Sequence, residues 1–257
     1  MKKFDLISFA TAEELASQVA GAWLDEIESA RRNNKPHCVA LSGGRITHKL
    51  FTSVVNLVRE GRRVGDPNFT GGGTPRLPGH VHFFWADERC VPPDDPESNF
   101  KLADDLLFVP LGIQENQIHR IRGEDSPATA VKAADEELRQ IALPGENRQP
   151  VLDLVFLGMG EDGHVASLFP DAPAEVVNHP GPFLFIDNSP KPPPRRISLS
   201  YAALAAARQV WVLISGAGKE EALHQSLGSG ANTPLGRILQ MRQNTLIFGQ
   251  IEAGKII

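Results

Sequence analysis

Residues 152–164 have the sequence LDLVFLGMGEDGH, in which a mostly apolar run leads directly into a glycine-rich loop. A continuous apolar run of this length is typical of a β-strand that is covered on both faces. Glycines at 158, 160 and 163 indicate a backbone that passes close to another group. The stretch therefore predicts a buried strand whose carboxyl end opens onto a loop suited to chemistry.

Strand-like and helix-like segments alternate on both sides of this stretch. The first helical pattern begins behind Thr11, which forms a capping box with Glu14, and its apolar residues recur at helical spacing as far as Ala30. The other predicted segments are strands at 37–41, 81–85, 118–121, 183–186, 197–200, 210–214 and 245–248, a helix ending near 60, and helices at 99–107, 127–141, 201–207, 219–227 and 234–241. Such alternation predicts an α/β fold with a mostly parallel sheet.

The composition limits the class of protein. The chain has 257 residues, with 26 Lys and Arg against 31 Asp and Glu, which gives a formal net charge of −5. Because 41% of the residues are hydrophobic and the net charge is small, intrinsic disorder is excluded. The two cysteines, Cys38 and Cys90, are too few for a disulfide framework and suit a reducing cytoplasm.

The same composition gives expectations about partners and organisation. No apolar run approaches the ~18 residues of a membrane span, and the acidic residues Asp5 and Glu13 give the N-terminal segment no signal-peptide pattern. The acidic balance provides no overall field for nucleic acid. We expect a single domain over residues 1–257, with a Gly- and Pro-rich loop insertion at 61–79, and a monomer or weak homo-oligomer as its assembly state.

Four loops follow predicted strands, and in an open α/β sheet ligands bind among such loops. The first, residues 41–45 (LSGGR), places two glycines at the start of a helix, where free N–H groups and the helix dipole favour a phosphate. An ordinary glycine turn is the alternative, because the spacing of a Walker A or dinucleotide-binding motif is absent. The second, residues 85–90 (WADERC), crowds acidic and basic side chains at a strand end, which suits either phosphate and hydroxyl recognition or a solvated turn.

The third and fourth loops carry the remaining candidates. Residues 157–170 (LGMGEDGHVASLFP) have Asp162 and His164 two positions apart, suited to supply a charge and a general base. Residues 189–196 (SPKPPPRR) form a proline-stiffened extended stretch with three cations, which suit an anionic substrate if they face one pocket. A solvated basic loop or a proline-rich docking segment is the alternative for the fourth loop.

Three weaker signals complete the set of candidates. His80 and His82 share one strand face, but no further ligand follows at a recognised spacing, so we predict no metal site. Residues 216–219 (GAGK) follow a predicted strand and either reach an anion or form a plain turn. Residues 71–75 (GGGTP) follow no strand and are not expected to touch a ligand.

Taken in order, the four loops resemble the 6-phosphogluconolactonase family, which belongs to a larger group with glucosamine-6-phosphate deaminase and ribose-5-phosphate isomerase. The most specific segments are residues 87–92 with 98–100, 157–170 and 189–197, and the resemblance covers nearly the whole chain. It implies a three-layer α/β/α modified Rossmann-like fold of the sugar-phosphate isomerase/CoA transferase-like kind. It also implies hydrolysis of 6-phospho-D-glucono-1,5-lactone to 6-phosphogluconate, without a metal or another cofactor.

The resemblance implies a role for each candidate residue. His164 is the implied general base that activates water, Asp162 supports it, and Asp87 lies near the sugar ring. The implied substrate-binding residues are Ser42, Gly43, Gly44, Arg45, Arg89, Lys191 and Arg196. Together they hold the phosphate and leave the lactone carbonyl near the histidine.

The first loop departs from the family pattern. The family commonly has Ser-Gly-Gly-Ser-Thr-Pro there, and this chain has Arg45 in place of the second serine. The arginine either supplies a replacement contact or marks a changed substrate or a lost activity. The alternative functions are therefore a catalytically altered sugar-phosphate-binding protein, or an amino-sugar phosphate deaminase or isomerase on the same fold. Residues 167–170 (SLFP) lack the carboxylate that the deaminases carry after Asp-Gly-His, which favours the lactonase.

The acidic net charge conceals a group of cations in these loops. Five of the 26 cations fall in the loops, namely Arg45, Arg89, Lys191, Arg195 and Arg196. Because the carboxyl ends of parallel strands meet at one edge of a sheet, we expect these cations to share one rim. The sequence thus predicts a basic pocket in an acidic protein, sized for a sugar phosphate and too small for nucleic acid.

Overall fold

The structure, a computed structural model, describes residues 3–61, 77–145, 149–228 and 230–251. Its strands are β1 (Phe4–Phe9), β2 (His37–Leu41), β3 (Val81–Trp85), β4 (Asp87–Arg89), β5 (Leu154–Gly158), β6 (Phe183–Ile186), β7 (Arg196–Leu199), β8 (Gln209–Ile214) and β9 (Thr245–Gln250). Its α-helices are α1 (Ala12–Arg32), α2 (Arg45–Arg59), α3 (Asn99–Ala103), α4 (Val109–Leu111), α5 (Pro127–Ile141), α6 (Ala174–Val177), α7 (Tyr201–Ala206), α8 (Glu220–Leu227) and α9 (Pro234–Met241). Most of the expected insertion at 61–79, including residues 71–75, lies outside the described residues.

A six-stranded parallel sheet forms the centre of the fold, in the order β1-β9-β8-β5-β2-β3. The apolar run quoted above forms β5, which lies between β2 and β8. All five residues of β2 are buried. Because successive side chains of a strand point to opposite faces, both faces of the sheet are covered by helices. The predicted three-layer α/β/α fold with a mostly parallel sheet is confirmed.

Trp23 is one of the buried residues through which helix α1 packs on the sheet. The indole ring meets Phe83 of β3 and Phe156 of β5 edge to face, with ring centroids 6.3 and 5.1 Å apart. Its Nε1–H donates to Nε2 of His37 over 3.2 Å, so the polar atom is satisfied although the side chain is fully buried. Within the described residues no helix is long and apolar enough to cross a membrane.

A second, three-stranded antiparallel sheet, in the order β4-β7-β6, lies beside the first. The sequence does not predict β4, because all three of its residues are charged. Asp87 and Glu88 are nevertheless only 5% and 3% exposed. The strand follows Trp85 at the end of β3 almost directly and so brings these carboxylates to the edge where the parallel strands end.

The chain order creates a crevice between β2 and β5. After β2 the next strand of this sheet is β3, on one side; after β5 the chain first forms β6 and β7 of the second sheet, and the next strand of the parallel sheet is β8, on the other side. The loops that follow β2 and β5 therefore diverge, and this switch point is where open α/β sheets bind their ligands. The predicted first and third loops are these two loops.

Two predictions of elements need correction, and one further strand besides β4 was missed. The predicted strand at 118–121 is wrong: Glu115–Gln117 forms a 3-10 turn, and only an isolated bridge joins Ile118 to Phe83. The helix predicted over 99–107 continues through a π-helical turn at Asp104–Phe108 to Leu111. Strand β1 was not predicted because it is an edge strand with no fully buried residue.

Candidate active site

A cleft of about 150 Å³ opens at the switch point. Its lining residues are Ser42, Gly43, Gly44, Arg45, Ile46, Asp87, Arg89, Asn99, Gly158, Met159, His164, Ala166, Arg196, Ser215 and Lys219. Eight of the ten residues singled out from the sequence are among them. The other two are Asp162, which bonds to His164, and Lys191, which lies outside the lining.

His164 and Asp162 form a hydrogen-bonded pair at the tip of the third loop. Nδ1 of His164 lies 2.5 Å from Oδ1 of Asp162, and the His164 backbone N–H donates to the same oxygen over 3.3 Å. Because a carboxylate only accepts, the neutral imidazole carries its proton on Nδ1 and keeps a lone pair on Nε2. The pair thus holds the ring in the tautomer that a general base needs.

The surroundings of the pair keep the imidazole neutral and the carboxylate ionised. Burial lowers the pKa of His164 below its usual value, although Asp162 acts in the opposite direction. Burial raises the pKa of Asp162, but the hydrogen bond and charge of His164 outweigh burial and lower that pKa overall. At neutral pH the histidine is therefore free to accept a proton.

The glycines of the third loop make room for the imidazole. A Cβ atom on Gly160 would lie 2.0 Å from Nδ1 of His164, so only glycine fits there. Gly163 has a φ of +77°, a conformation that other residues rarely adopt. On the other side, the Phe169 ring packs on the imidazole with centroids 4.7 Å apart. The loop sequence thus fixes the histidine from both sides.

The first loop presents the N-terminus of α2 to the cleft. Ser42 does not face a ligand with its hydroxyl, which donates to the carbonyl of Phe156 over 2.7 Å and ties β2 to β5. A Cβ on Gly43 would lie 2.0 Å from Oδ1 of Asn99, so this glycine permits a close approach of α3. Gly44 has a φ of +102° and precedes the helix without a side-chain cap. The Arg45 and Ile46 N–H groups are therefore available to an anion, whereas the Thr47 N–H donates to the Gly44 carbonyl over 3.1 Å.

Two cations stand beside this helix start. Arg45 is exposed and Lys219 is half-buried, and both line the cleft. Burial, and then the charge of Arg45, lower the pKa of the Lys219 ammonium. In the described parts of the chain neither cation forms an ion pair with a carboxylate. Both cations face the cleft, although the charge of Glu161 is close enough to raise the pKa of Lys219 against these two effects.

The opposite wall contains a buried network around Asp87. Oδ2 of Asp87 accepts from the Ser167 hydroxyl over 2.6 Å and lies 3.9 Å from Nη1 of Arg196. Asn99 Nδ2 donates to the Asp87 carbonyl oxygen over 2.8 Å. The carboxylate of Asp87 therefore reaches the cleft already oriented by a hydroxyl and balanced by a guanidinium.

Glu88 is a buried clamp rather than a ligand-binding residue. Its carboxylate accepts from the backbone N–H groups of Arg89, Asn99 and Phe100 over 2.7 to 2.8 Å. Burial raises its pKa to about 7, even though these donors favour the ionised form. It holds residues 98–100 against β4 and thereby places Asn99 and Arg89 in the cleft. Arg89 in turn donates to the Glu97 carbonyl oxygen through Nη1.

The fourth loop differs from the prediction. It is not an extended stretch: the Ser189 N–H donates to the Pro194 carbonyl over 2.8 Å, which closes the loop. Buried Arg196 fills this loop and donates to the carbonyls of Pro193, Lys191 and Pro192 over 3.0 to 3.3 Å. The guanidinium of Arg196 is thus shared between the loop backbone and the cleft.

Of the five cations predicted to share one rim, only Arg45, Arg89 and Arg196 line the cleft. Arg195 points away from the cleft, lies over the Phe185 ring and faces Asp187 at 3.6 Å. The chain becomes extended only at the end of this loop, where Arg196 begins β7 and the Arg195 carbonyl accepts from the Cys90 N–H, so the side chains of Arg195 and Arg196 point to opposite sides. Lys191 is exposed outside the lining residues, although its charge is close enough to lower the pKa of His164.

The histidines weighed for a metal site bond to other groups. Nδ1 of His82 lies 3.0 Å from Nε2 of His119, whose Nδ1 contacts Glu137 at 2.9 Å. His80 bonds to the Ile27 carbonyl over 3.1 Å. Among the described residues no three His, Cys, Asp or Glu side chains come together in a way that would hold a metal ion.

Three polar residues of the cleft lining, Lys219, Asn99 and Ser215, were not selected from the sequence. Lys219 was weighed but not selected, because GAGK after a strand is equally typical of a plain turn. Lys219 lies in the loop that follows β8, and β8 is the neighbour of β5 in the sheet. This neighbouring position is what brings Lys219 into the site. Asn99 lies in the segment 98–100 that carries the resemblance but was given no role, and Ser215 carried no signal of its own, since its place in the lining depends on tertiary contacts.

Fold and cleft together define an α/β protein with an anion-binding helix start and a histidine–aspartate pair at its switch point. The family model described as glucosamine-6-phosphate isomerases/6-phosphogluconolactonase matches residues 10–248. The chain belongs to this family. The resemblance seen in the sequence is confirmed.

Individual relatives agree with this assignment. The 6-phosphogluconolactonase of Mycobacterium tuberculosis is 40% identical over 173 residues, which are 65% of this chain and 69% of that protein. The one from Streptomyces coelicolor is 32% identical over 232 residues, 88% of this chain and 83% of that protein. The crystal structure of 6-phosphogluconolactonase from Thermotoga maritima matches with a TM-score of 0.75 at 25% identity and covers 96% of this chain and 98% of its own.

Proposed function

We propose that this protein hydrolyses 6-phospho-D-glucono-1,5-lactone to 6-phosphogluconate, with His164 as the general base. The observation that carries the proposal is the neutral His164 imidazole, held by Asp162 in a cleft that also contains two unpaired cations. Relatives that carry the name of this lactonase support the choice of substrate. The first-loop departure at Arg45 replaces a neutral hydroxyl by a cation, which also suits a phosphate.

The substrate would bind with its phosphate at the start of α2. The free N–H groups there, with Lys219 and Arg45, supply donors and positive charge for a dianion. Arg196 and Arg89, whose guanidinium groups are partly engaged by backbone carbonyls, would contribute at the Asp87 wall. Binding the phosphate at one end orients the lactone carbonyl toward His164, which is where positioning raises the rate most.

The reaction requires one proton acceptor and passes through one tetrahedral oxyanion. A water molecule attacks the lactone carbonyl carbon, Nε2 of His164 takes one proton from it, and the carbonyl electrons move to oxygen. Collapse of this tetrahedral oxyanion breaks the bond to the ring oxygen, which receives the proton back from the imidazolium. Asp162 stabilises the imidazolium between these two steps. The product is the open-chain acid, which ionises to the carboxylate.

The test is a lactonase assay with the substrate generated in situ and spontaneous hydrolysis subtracted. We expect wild-type protein to exceed the spontaneous rate, and His164→Ala to lose roughly 100- to 10,000-fold in kcat, the usual contribution of a general base. His224→Ala, which removes an exposed histidine on α8, is the matched control and keeps the wild-type rate. A wild-type rate equal to the spontaneous one contradicts the proposal, and an unaffected His164→Ala contradicts the role of the histidine.

Two further measurements, ammonia release and ligand binding, separate the alternatives on this fold. An amino-sugar phosphate deaminase would release ammonia from glucosamine 6-phosphate, and we expect no release. A catalytically altered binding protein would bind 6-phosphogluconate without hydrolysing the lactone. We also propose that the protein is cytoplasmic, and that it is a monomer or weak homo-oligomer that does not bind nucleic acid. Light scattering after gel filtration measures the assembly state, and a stable larger species would contradict the proposed assembly.

A further inference from the structure

A second cavity adjoins the aromatic ring that packs on His164. Its volume is about 270 Å³, and Phe169 forms part of its wall. The Phe169 ring contacts the His164 imidazole, with centroids 4.7 Å apart. His164 lines the cleft, and among the residues that the structure describes none lines both spaces. The cavity is therefore a separate space that adjoins the histidine through Phe169.

Tyr201 presents an unused hydroxyl group in this cavity. The residue begins α7, lines the cavity and is only 2% exposed. Its hydroxyl has no hydrogen-bond partner within the described parts of the chain. Burial raises the pKa of Tyr201 to about 12, although the charge of Arg237 acts in the opposite direction, so the hydroxyl keeps its proton at neutral pH. Because a buried Tyr O–H usually finds a partner, this donor lacks an acceptor that a ligand would supply.

A guanidinium group lies over the ring of the same tyrosine. Cζ of Arg237, on α9, is 5.8 Å from the centre of the Tyr201 ring, and Arg237 also lines the cavity. Its Nη2 donates to Oδ1 of Asn232 over 2.7 Å, which is a neutral acceptor. No carboxylate of the described residues forms an ion pair with Arg237. Since a guanidinium has five N–H groups, the cavity contains charged donors besides the tyrosine hydroxyl.

The rest of the lining selects the kind of anion. Phe169 and Val177 supply apolar surface, which favours an organic molecule over an inorganic ion. Exposed Asp171 lines the same cavity, so the single cation is opposed by one negative charge, and a dianion is disfavoured. A carboxylate has one charge and two oxygens, so it accepts from the Tyr201 hydroxyl and from Arg237 together.

We propose that this cavity is a second ligand site, which binds a small organic monocarboxylate through Tyr201 and Arg237. The carboxylate accepts hydrogen bonds from the hydroxyl and the guanidinium, and the apolar part of the ligand lies against Phe169. The site does not depend on the proposed function, because binding there uses no residue of the cleft.

The experiment titrates isotopically labelled wild-type protein with benzoate and follows the backbone amide signals by NMR, with and without 6-phosphogluconate. We expect saturable shifts at residues 171–172 and 235–237, with a Kd of about 1–10 mM, as is usual for so small a ligand. 6-Phosphogluconate does not displace the benzoate. Benzamide has the same shape without the charge and binds at least about tenfold more weakly. Inorganic phosphate leaves the signals of these residues in place.

Two variants assign the contacts. Tyr201→Phe removes only the hydroxyl and keeps the buried ring, and it should weaken benzoate binding roughly three- to tenfold. Arg237→Gln removes the charge and should weaken binding at least about tenfold. The matched control is Arg32→Gln, which removes an arginine with a 73% exposed side chain on α1 and keeps the wild-type Kd.

Three results would overturn the proposal. They are the absence of saturable shifts in wild type, an unchanged Kd in either Tyr201→Phe or Arg237→Gln, and shifts confined to the cleft that 6-phosphogluconate abolishes. Shifts at the cavity with the expected losses in both variants support the second site, whether or not the protein hydrolyses the lactone. The outcome is therefore separate from that of the lactonase assay.

Discussion

At the residue scale, the position of one proton decides what His164 is able to do. Asp162 accepts from Nδ1, which leaves Nε2 as the only ring nitrogen with a free lone pair. An amide in place of the carboxylate would offer an N–H group as well as an oxygen, and would bind the wrong tautomer equally well. The carboxylate therefore matters for the orientation and basicity of His164 more than for substrate affinity.

Asp162→Asn tests this dependence. We expect kcat for the lactone to fall by roughly one to three orders of magnitude, with KM little changed, because the histidine is no longer held as a base and loses a counter-charge. The assay is steady-state hydrolysis with the spontaneous rate subtracted. Asp171→Asn is the matched control, since Asp171 is exposed at a φ of +58°, which asparagine also tolerates. An Asp162→Asn variant with full kcat would show that Asp162 has only a structural role.

At the scale of elements, the C-terminal half of the fold depends on a buried arginine. Arg242, which follows α9, is only 5% exposed and donates to the carbonyls of Leu204 and Ala207 over 2.9 and 3.0 Å. It also donates to the Arg208 carbonyl and to the Thr245 hydroxyl. Burial lowers its pKa to about 10, so it stays charged at neutral pH. The arginine thus joins the end of α7 to the start of β9.

Arg242→Met should lower the free energy of unfolding by about 2–4 kcal/mol, because the substitution leaves several buried carbonyl groups without a donor. Chemical denaturation monitored by circular dichroism measures this. Arg32→Met, which removes a largely exposed arginine at the end of α1, should change stability by less than ~0.5 kcal/mol. Equal effects of the two substitutions would contradict the structural role of Arg242.

The sequence predicts elements well where one periodicity dominates. Helix α1 and strand β5 follow from apolar spacing and from a continuous apolar run, and both are observed. β4 was missed because its stability comes from hydrogen bonds between distant residues, such as Ser167 to Asp87, which no local pattern reports. The segment at 118–121 has the apolar character of a strand but pairs with β3 at one position only.

At the scale of the whole molecule, the cleft is predictable because parallel strands end at one edge. That rule alone brings the loops after β2 and β5 together and places Gly44 and His164 in one cleft. The direction in which each cationic side chain points is not predictable from this rule. Arg195 turns toward Asp187, whereas Lys219 enters the cleft. The acidic net charge of −5 gives no indication of the basic cleft.

The central claim is that this cleft hydrolyses the lactone through a neutral His164. The most direct measurement is the pH dependence of kcat/KM for 6-phospho-D-glucono-1,5-lactone, in wild type and in His164→Ala, with spontaneous hydrolysis subtracted at each pH. Burial lowers the pKa of His164, so the base form persists at neutral pH and is lost as pH falls below the usual histidine range. We expect wild-type kcat/KM to be level near pH 7 and to fall about tenfold per pH unit in acid, because one proton is involved. His164→Ala should have a low rate without this acid limb, and the same limb in His164→Ala would contradict the account.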